Sequence, residues 1–559
     1  MKKLPPGSKI LDLDWSSNSE IIAVQLSHSI QLWTTKNYHW YLKQEISSIN
    51  NNQIKYLQFH PEKPLKLMIG THSSIEIVDL SYCISSGPTA APYDLGMTLV
   101  TDGTTCMITP ISIANVPPPA SLREFDVDEP IVDMAVSQSN ELISVLTQNE
   151  IYLVSLKINN SVKPPVKSPE LISRLAKNTF TNENSQVKQI AMAGNDTVAV
   201  LFDGDGVTRI AMIDIFDITK PTLKNIIDVL PPKAVLLKSN YDFSAVTFET
   251  ADGSVYEIIN SNNNNDEDEA ISTYNKINKF PQLCVEYSIV NLSPTSSQVE
   301  EHEHEADAIN KEWGNTNHHK FSSNVASFGL SQTGKFFCNG KLLCSGVTSF
   351  LTTESLLIYT TAKHQLKFVH LLNNDELYDS NGIENILESA SLDYDERTRL
   401  IERGSLLVST IPSKALVVLQ APRGNLETIC PRIMVLTGVR KQIKEKNYRE
   451  AFLTCRTHRI ALDIIYDYNP ESFVANVEKF IKEINSVEYL DLFLSGLYEE
   501  DVCETKYKET LTTDNTLDDN YNNNNINTNF AKLSITNNET EQFVKPLMHV
   551  NIHQRPKKL

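Results

Sequence analysis

Short apolar and polar segments alternate along most of the chain, and the pattern repeats. The segment Ile10–Trp33 superimposes without gaps on Ile131–Val154, with apolar residues matched at the strand positions and with Ser16/Ser137 and Glu20/Glu141 shared. Each copy has a segment of alternating apolar and polar residues, a polar turn, a short apolar run, a second turn and another segment of alternating apolar and polar residues. A period of two residues is typical of β-strands, so each copy predicts three strands of one antiparallel unit.

The spacing of the copies indicates the type of β-fold. Tyr56–Leu80 follows the same plan after one inserted residue, and it starts about 44 to 46 positions after the first copy, within the period of four-stranded propeller blades. Looser copies appear at five further places: Val187–Phe216, Ala234–Ile258, Asn324–Leu343, Val347–Leu371 and Ser405–Leu419. The chain is therefore predicted to be mainly β up to about Leu419, as WD40-like β-propellers.

Three polar or proline-rich segments interrupt this region. Residues 261–270 and 297–320 are too polar to bury a strand face, so we expect loops between blades. Ala114–Ser121 contains three prolines, which remove hydrogen-bond donors from a sheet, and it predicts a linker between two β-units.

The period of the apolar residues changes after Gly424. Apolar residues recur every three or four positions from Ile433 to Ile443 and again from Phe473 to Ile484, which predicts amphipathic helices. Asn469 and Pro470 are expected to be the cap and first-turn residue before the second run. Short helices with brief turns between these runs are typical of the start of a TPR-like α-helical solenoid.

These features predict five regions. They are a first WD40-like β-propeller unit at 1–112, a proline-rich linker at 113–123, a second propeller at 124–423, the start of a solenoid at 424–508 and an Asn-rich disordered tail at 509–559.

Charge and composition narrow the classes of function. The 559 residues include 50 Lys plus Arg and 69 Asp plus Glu, a net charge of −19, which excludes a chain-wide basic surface for nucleic acid. The sequence has no apolar run long enough for a membrane span. The eight cysteines never form a CxxC pair, which favours reduced thiols over a disulfide frame or a zinc site.

Three segments resemble ligand-binding motifs, and each has a simpler interpretation. Gly329–Phe336 nearly matches a phosphate loop, but Phe336 replaces the hydroxyl residue and the context predicts a β-turn followed by an Asn-Gly hairpin. Glu300–Glu305, with His318 and His319, offers metal-ligand types in a polar loop, where a solvated acidic loop is favoured. Phe202–Arg209 starts like a calcium loop but lacks the later carboxylate, so a hairpin is expected.

The sequence predicts no catalytic, cofactor-binding or metal-binding residue. None of the GxSxG, HExxH or HRD-type motifs occurs in it. We therefore predict that the chain is not an enzyme and needs no cofactor.

A local basic cluster is the main charge feature. Eight Arg or Lys and two acidic residues lie between Arg432 and Arg459. The cluster is either the solvated face of amphipathic helices or a contact for RNA phosphates or an acidic partner. The candidate contact residues are Arg440, Lys441, Lys444, Lys446 and Arg449. The i, i+1, i+4 spacing of Arg440, Lys441 and Lys444 is expected to group these three on one side of a helix.

The segment Pro422–Ile484 resembles the largest-subunit family of the Elongator complex. The matching passages are PRGNLE, NYREAF and DYNP within that segment, together with NVPPP at Asn115–Pro119 and QLWTTKNYHWYLKQEI at Gln31–Ile46. The last of these contains the aromatic cluster Trp33, Tyr38, Trp40 and Tyr41. The resemblance covers roughly Lys9 to Tyr507. Because members of that family begin with more blades than this chain has before Asn115, the resemblance implies that residues 1–112 are the closing blades of an incomplete first propeller, which is expected to expose strand edges and an apolar face.

The resemblance implies a non-enzymatic scaffold for tRNA wobble uridine (U34) modification. Its implied partners are the other Elongator subunits, including the catalytic radical-SAM and acetyl-CoA-using subunit and the other WD40 subunit, and its implied location is the cytoplasm, with the nucleus second. The family's homodimer contact and basic tRNA-binding segment lie in a longer solenoid. Homodimerisation is therefore not expected, tRNA contact is expected to be indirect or weak, and no membrane partner is expected.

Two other functions are consistent with the architecture. The first is a propeller-solenoid scaffold of a vesicle coat or transport assembly, which would not be expected to carry the passage from PRGNLE to DYNP. The second is an enzyme with a site in the central channel of a propeller, which would need carboxylates or histidines at inner-strand positions. The acidic and histidine residues instead concentrate in predicted loops.

Overall fold

The computed structural model describes residues 9–36, 39–47, 52–82, 84–159, 165–182, 185–259, 274–291, 325–371 and 397–507. The predicted loops at 261–270 and 297–320 and the predicted tail at 509–559 lie outside these residues. In the described residues, strands occur up to Ile429 and α-helices follow from Arg432. No helix in these ranges is long and apolar enough to cross a membrane.

The strands form nine antiparallel sheets in the described part of the chain, which we number in chain order. Sheet 1 contains β1 (Asp12–Trp15), β2 (Ile21–Gln25), β3 (Ser29–Lys36) and β4 (His39–Ser47). Sheet 2 contains β5 (Ile54–Phe59), β6 (Lys66–Thr71) and β7 (Ile75–Asp79). Sheet 3 contains β8 (Met97–Asp102), β9 (Thr105–Pro110) and β10 (Arg123–Asp126).

Sheets 4 to 9 continue the same plan of consecutive strands. Sheet 4 contains β11 (Ile131–Val136), β12 (Leu142–Thr147), β13 (Glu150–Ser155) and β14 (Glu170–Ala176), and sheet 5 contains β15 (Gln186–Ala193), β16 (Thr197–Gly204), β17 (Val207–Asp214) and β18 (Thr222–Asp228). Sheet 6 contains β19 (Ala234–Ser239), β20 (Val246–Thr250), β21 (Ser254–Ile258) and β22 (Tyr274–Lys279), and sheet 7 contains β23 (Cys284–Asn291), β24 (Val325–Ser331), β25 (Lys335–Cys338) and β26 (Lys341–Ser345). Sheet 8 contains β27 (Val347–Thr352), β28 (Leu356–Thr361), β29 (Gln365–His370) and β30 (Thr398–Leu400), and sheet 9 contains β31 (Leu406–Ile411), β32 (Leu416–Gln420) and β33 (Leu426–Ile429). Two short 3-10 helices lie at Lys177–Thr179 and Pro412–Lys414.

The serine shared by the sequence repeats closes the turn between the first two strands of a sheet. Ser16 Oγ accepts a hydrogen bond from the Ile21 N–H at 3.0 Å, and Ser137 Oγ accepts one from the Leu142 N–H at 3.1 Å. The hydroxyl has the same role in sheets 1 and 4. The repeat recognised in the sequence is therefore a repeat of structure.

Sheets 3 to 9 pack face to face in a closed ring. Buried apolar clusters join sheets 3 and 4, 4 and 5, 5 and 6, 6 and 7, and 8 and 9. Phe336 of sheet 7 lies 4.9 Å from Phe350 of sheet 8, measured between ring centroids. Ile411 and Val418 of sheet 9 pack with Ile111, which directly follows β9 of sheet 3. Such a ring of radially arranged sheets is a β-propeller, and the predicted fold class is confirmed.

Sheets 1 and 2 pack on each other outside this ring. Ile21 and Leu32 of sheet 1 share a buried cluster with Leu57 and Ile69 of sheet 2. The outer faces of both sheets carry exposed apolar side chains, which are Leu13, Trp15, Tyr56, Ile75 and Ile77. The exposed aromatic and aliphatic side chains thus lie on the faces that do not take part in the shared cluster.

The proline-rich segment 113–123 connects two strands of one sheet. It leads from β9 to β10, where Arg123 lies opposite Ile108. Strands β8 and β9 therefore belong to the ring, although the sequence places residues 1–112 in the first propeller. Prolines exclude a segment from a central strand, but they allow it to connect to an outermost strand. The other region boundaries remain predictions.

The C-terminal helices are α1 (Arg432–Lys444), α2 (Tyr448–His458), α3 (Ile464–Asp467), α4 (Pro470–Ala475), α5 (Val477–Ile484), α6 (Val487–Gly496) and α7 (Val502–Thr505). The aromatic rings of Tyr448, Phe473, Phe480 and Phe493 pack together between them. The Asn469 side chain accepts a hydrogen bond from the Ser472 N–H at 2.9 Å, with Pro470 in the first turn. The predicted cap of this helix is confirmed.

Candidate functional site

The predicted basic residues lie on α1, on α2 and in the turn between them. Lys441, Lys444, Lys446 and Arg449 are exposed, whereas Arg440 is only 5% exposed. Arg440 lies next to the apolar stripe of α1, since Leu436, Val439 and Ile443 are also buried. The expected grouping of Arg440 with Lys441 and Lys444 on one exposed side is therefore not found.

Arg440 instead holds the last described segment against the helices. Its Nη2 donates a hydrogen bond to the Tyr507 carbonyl oxygen at 2.5 Å. The Tyr507 hydroxyl accepts a hydrogen bond from the Ala461 N–H at 2.9 Å. Asp467, the acidic residue of the DYNP passage, accepts one from the Val502 N–H at 3.0 Å. These buried polar residues have structural roles within the helical unit.

Two of the exposed cations also contact neighbouring side chains or backbone. Arg449 Nη1 lies 3.3 Å from the Glu483 carbonyl oxygen, and its own N–H donates to the Glu483 carboxylate at 3.3 Å. The Lys444 ammonium lies 5.8 Å from the centre of the Tyr468 ring. We define the basic surface as Lys441, Lys444, Lys446 and Arg449. Such a surface is chemically suited to contact phosphates or carboxylates.

A second set of polar residues lies on the innermost strands of the ring. The innermost strands β11, β15, β19, β23, β27 and β31 each have a register shift near their start. A polar residue follows the shift in all of these strands except β19. Gln189 Oε1 accepts a hydrogen bond from the Leu237 N–H of the next sheet at 2.6 Å, and Ser349 Oγ accepts one from the Leu407 N–H at 2.9 Å. The polar side chains thus join successive sheets around the central channel of the propeller, which the innermost strands surround.

Asp133 directly follows the register shift in β11, as Gln189 does in β15 and Ser349 does in β27. Its carboxylate accepts hydrogen bonds from the Met134 N–H at 2.9 Å and from the Ile190 N–H of sheet 5 at 3.0 Å. Burial raises the pKa of Asp133 to about 7, although these backbone hydrogen bonds act in the opposite direction. Glu286 of β23 pairs with Lys238 of sheet 6 at 3.3 Å. Both inner-strand carboxylates are therefore engaged in contacts between sheets.

A chain segment before β8 closes one part of the channel. The Gly87 N–H donates to the Met97 carbonyl oxygen at 2.9 Å, so that residues 85–87 extend sheet 3 inward. Thr89 Oγ1 then donates to the Thr352 carbonyl oxygen at 2.6 Å and lies 3.3 Å from that of Tyr241. The segment therefore bridges sheets on several sides of the ring.

Sequence reasoning missed the residues that line the channel, although a signal is present. In several repeats the third residue of the innermost strand segment is polar, as in IVDMAV for Asp133, VKQIAM for Gln189, CVEYSI for Glu286 and VTSFLT for Ser349. The expectation that acidic residues concentrate in loops is wrong for Asp133 and Glu286. Only the ring geometry shows that these positions face a neighbouring sheet.

The motif-like segments in the described part of the chain are hairpins. The stretch Gly329–Phe336 contains the turn between β24 and β25, where Ser331 Oγ accepts a hydrogen bond from the Lys335 N–H at 3.0 Å. The calcium-like stretch contains the hairpin between β16 and β17, and Asp203 there pairs with Lys188 at 2.6 Å. Both predicted turns are confirmed.

The histidine-rich candidate at Glu300–Glu305, with His318 and His319, lies outside the described residues. Within the residues that the structure describes, no group of three or more His, Cys, Asp or Glu side chains is arranged to hold a metal ion.

Comparison with protein families gives three consecutive matches. The model described as the ELP1 N-terminal second beta-propeller matches residues 100–408, and the ELP1 alpha-solenoid matches residues 432–559. The ELP1 first N-terminal beta-propeller matches residues 2–62. The match to the second propeller begins before the predicted boundary, in keeping with the place of β8 and β9 in the ring.

Individual relatives agree with the family matches. The chain is 44% identical to Elongator complex protein 1 of Saccharomyces cerevisiae over 91% of its own length and 35% of the relative. It is 33% identical to Elongator complex protein 1 of Schizosaccharomyces pombe over 90% of its length and 36% of the relative. The chain therefore spans about a third of the length of these relatives. Among solved structures, hydrazine synthase from Kuenenia stuttgartiensis aligns with 77% of this chain and 99% of that chain at 9% identity, and its TM-score of 0.25 is too low to indicate a common fold.

Proposed function

Because the chain belongs to the Elongator complex protein 1 family, we propose that it acts as a non-catalytic scaffold subunit of the Elongator complex. The observation that carries the proposal is the succession of ELP1 domain matches over the ring and the helices. Propellers and solenoids offer broad surfaces for other proteins. The partners in this proposal are the catalytic radical-SAM and acetyl-CoA-using subunit and the other WD40 subunit.

In this role the chain supports the modification of wobble uridines in tRNA to 5-methoxycarbonylmethyl and 5-carbamoylmethyl uridine. The inner-strand carboxylates support a scaffold rather than an enzyme, because Asp133 and Glu286 are used to join sheets. The vesicle-coat alternative is not favoured, since the matched family models are those of ELP1 domains.

Affinity purification from the native cells tests the scaffold proposal. The tagged chain is purified from cell extract, bound proteins are identified by mass spectrometry, and tRNA from a deletion strain is analysed for modified wobble uridines. We expect co-purification of the radical-SAM subunit and loss of the uridine side chains. A deletion strain that carries the tagged chain on a plasmid is the control, and it is expected to recover the modification.

Two results would count against the proposal. Loss of the modification without co-purification would assign the scaffold role to a longer product of the same gene. Normal wobble uridines in the deletion strain would exclude a role in this modification.

We further propose that the basic surface contributes a weak contact to tRNA phosphates. Its lysines project from one end of α1 and the following turn, and each phosphate contact releases counterions on binding. The triple variant Lys441→Glu, Lys444→Glu, Lys446→Glu is therefore expected to weaken tRNA binding. The slope of a plot of log affinity against log salt concentration is expected to become less steep by about 1 for each lost phosphate contact.

The matched control makes the same change in net charge, but on the ring of sheets. Lys167, Lys220 and Lys363 are exposed lysines of the ring, and their replacement by Glu is expected to leave tRNA affinity nearly unchanged. Affinity is measured by fluorescence anisotropy with labelled tRNA at several salt concentrations. Equal losses in the two triple variants would show a non-specific charge effect and overturn the assignment.

A further inference from the structure

The central channel of the ring contains a cavity of about 120 Å³. Its walls are formed by the innermost strands β11, β15, β19, β23 and β27 and by the inward segment at 84–89. An apolar cavity of about 150 Å³ accommodates benzene, whereas pockets for drug-sized ligands and cofactors have about 300 to 1,000 Å³. The cavity therefore has the size for one small planar group rather than for a nucleotide.

Two carboxylates and one ammonium group are the charged groups among the described residues that line the cavity. Glu286 and Lys238 pair at 3.3 Å, and their side chains are 15% and 28% exposed. Asp133 is 7% exposed. Because Glu286 balances the charge of Lys238, ionised Asp133 leaves an excess of one negative charge. Such an excess favours a cationic ligand.

The Asp133 carboxylate keeps room for a further hydrogen-bond donor. An ionised carboxylate offers about four acceptor positions. The Met134 and Ile190 N–H groups occupy two of them, and the Ser85 hydroxyl occupies a third. These three donors are uncharged, and burial raises the pKa of Asp133 to about 7. A cationic donor in the cavity would supply both a further hydrogen bond and the missing positive charge.

Two tyrosines of the cavity wall indicate which kind of cation fits. Tyr82 and Tyr241 both line the cavity, and guanidinium groups stack on aromatic faces and are more weakly hydrated than ammonium groups. The Tyr82 hydroxyl donates to the Glu20 carboxylate at 3.1 Å. Burial and the nearby carboxylates of Asp242 and Glu354 raise the pKa of Tyr241 to about 12. These carboxylates extend the negative potential around the cavity.

We propose that the cavity binds a guanidinium group, with the Asp133 carboxylate as its charge partner. This planar group carries five N–H donors in a fixed geometry and stays charged at every pH at which the chain is folded. Tyr82 is 44% exposed, so the cavity reaches solvent beside it. The group belongs either to a small guanidine compound or to an arginine of a polypeptide, and its recognition has the same chemistry in both cases.

Calorimetric titration of the full chain tests the proposal with two probes. The probes are methylguanidine and a blocked tripeptide of glycine, arginine and glycine. Methylurea and the corresponding citrulline tripeptide are the uncharged controls of similar shape. We expect saturable binding of a guanidinium probe at one site per chain and no binding of the uncharged controls. Binding of the tripeptide assigns the site to an arginine of a polypeptide, and binding of methylguanidine alone assigns it to a small guanidine compound.

Asp133→Asn removes the charge and nearly keeps the shape of the side chain. It is expected to weaken binding of the probe on the order of tenfold or more. Glu249→Gln is the matched control, because it also replaces a buried carboxyl of the ring with an amide but lies on β20, outside the cavity wall. This control is expected to keep the affinity of the parent chain. Circular dichroism and thermal unfolding establish that each variant is folded.

Two further variants test the charge balance without changing Asp133. Lys238→Gln removes the ammonium group and frees the Glu286 carboxylate, so affinity for the probe is expected to rise by roughly tenfold. Glu286→Gln leaves the charge of Lys238 unbalanced, and affinity is expected to fall. An anionic ligand would give the reverse of both results.

The affinity is also expected to depend on pH. Protonated Asp133 offers no charge, so affinity should rise from pH 5.5 to about 8 and then level off, by at most tenfold per pH unit. The other titratable groups that line the cavity are Tyr82, Tyr241, Tyr287, Lys238 and Glu286. Burial raises the pKa of all three tyrosines, which therefore stay neutral in this range. Asp133→Asn is expected to abolish the rise.

Three results would overturn the proposal. They are the absence of saturable binding of both probes, equal binding of the guanidinium probes and their uncharged controls, and a folded Asp133→Asn variant with the affinity and pH dependence of the parent chain. The third result would place the bound guanidinium group on another surface.

Discussion

The burial of a carboxyl group couples the stability of the ring to pH, and Glu249 is an example. Glu249 lies on β20 and is fully buried. One of its carboxylate oxygens accepts a hydrogen bond from the Cys284 N–H at 2.9 Å, and the other has no partner among the described residues. Burial raises the pKa of Glu249 to about 8. The folded chain therefore favours the neutral carboxyl.

This raised pKa predicts a pH-dependent effect of Glu249→Gln. The unfolded glutamate has a pKa of about 4.3, so the contribution of Glu249 to stability is present below that pH and is lost as pH rises towards 8. In this range the free energy of unfolding of the parent chain is expected to fall relative to that of the variant by about 1.4 kcal/mol per pH unit. Urea unfolding of both chains from pH 5 to pH 9 measures the difference.

Glu141→Gln is the control for this prediction. Glu141 is exposed in the turn before β12, so its replacement is expected to give a difference that stays constant with pH. A constant difference for Glu249→Gln as well would show that the carboxyl is ionised in the folded chain.

Single residues were harder to assign from the sequence than the elements that contain them. The helical run of α1 was predicted correctly, but the sequence could not show that Arg440 lies beside the buried stripe and bonds to the Tyr507 carbonyl. That contact joins residues far apart in the chain. A helical pattern defines the apolar face, whereas a long cation at its border can extend either to solvent or to a distant acceptor.

At the scale of elements, the contact between sheets 9 and 3 is where the ring closes. Residues from opposite ends of the ring segment meet there, and Asp94, 2% exposed, accepts a hydrogen bond from the Ser413 N–H at 2.6 Å. Lys414 Nζ donates to the Ser112 carbonyl oxygen at 2.8 Å in the same region. The closure depends on side-chain contacts, since these two sheets share no strand.

We expect Asp94→Ala to weaken this closure. Removal of the carboxylate leaves the Ser413 N–H without its acceptor, which costs about 1 to 3 kcal/mol. Hydrogen exchange of the peptide that contains Ser413 is expected to become faster, and the free energy of unfolding in urea is expected to fall. Asp94→Asn keeps an acceptor oxygen and should have the smaller effect. Unchanged exchange at Ser413 in Asp94→Ala would contradict this account of the closure.

The sequence predicted most elements but not every connection between them. Alternation and shared turn residues such as Ser16 and Ser137 identify the sheets because these signals are local. The segment 113–123 was assigned to a linker between domains, yet it joins two strands of sheet 3. Pairing across a long connection leaves no local pattern, so sequence periodicity cannot assign the outermost strand to its sheet.

At the scale of the whole molecule, the sheets differ in how many of their faces are covered. Every sheet of the ring packs on two neighbours, as shown by the clusters on both sides of sheets 4, 5 and 6. Sheets 1 and 2 share one buried cluster, and their outer faces expose apolar side chains. The family resemblance implied exposed apolar faces for residues 1–112, although the predicted boundary after residue 112 lies too late to include β8 and β9 in the ring.

The number of sheet faces that pack on a neighbouring sheet predicts which part of the chain folds independently. A segment of residues 81–434 contains every strand of the ring and residues 85–87, so each of its sheets keeps both neighbours. We expect this segment to unfold cooperatively, with a midpoint near that of the corresponding transition in the full chain. Residues 9–80 alone bury a single face of each sheet and are expected to be unfolded or aggregated, because small units with one covered face bury too little apolar surface. Circular dichroism and calorimetry of the two segments measure this, and a folded 9–80 beside an unfolded 81–434 would refute the ring as the independent unit.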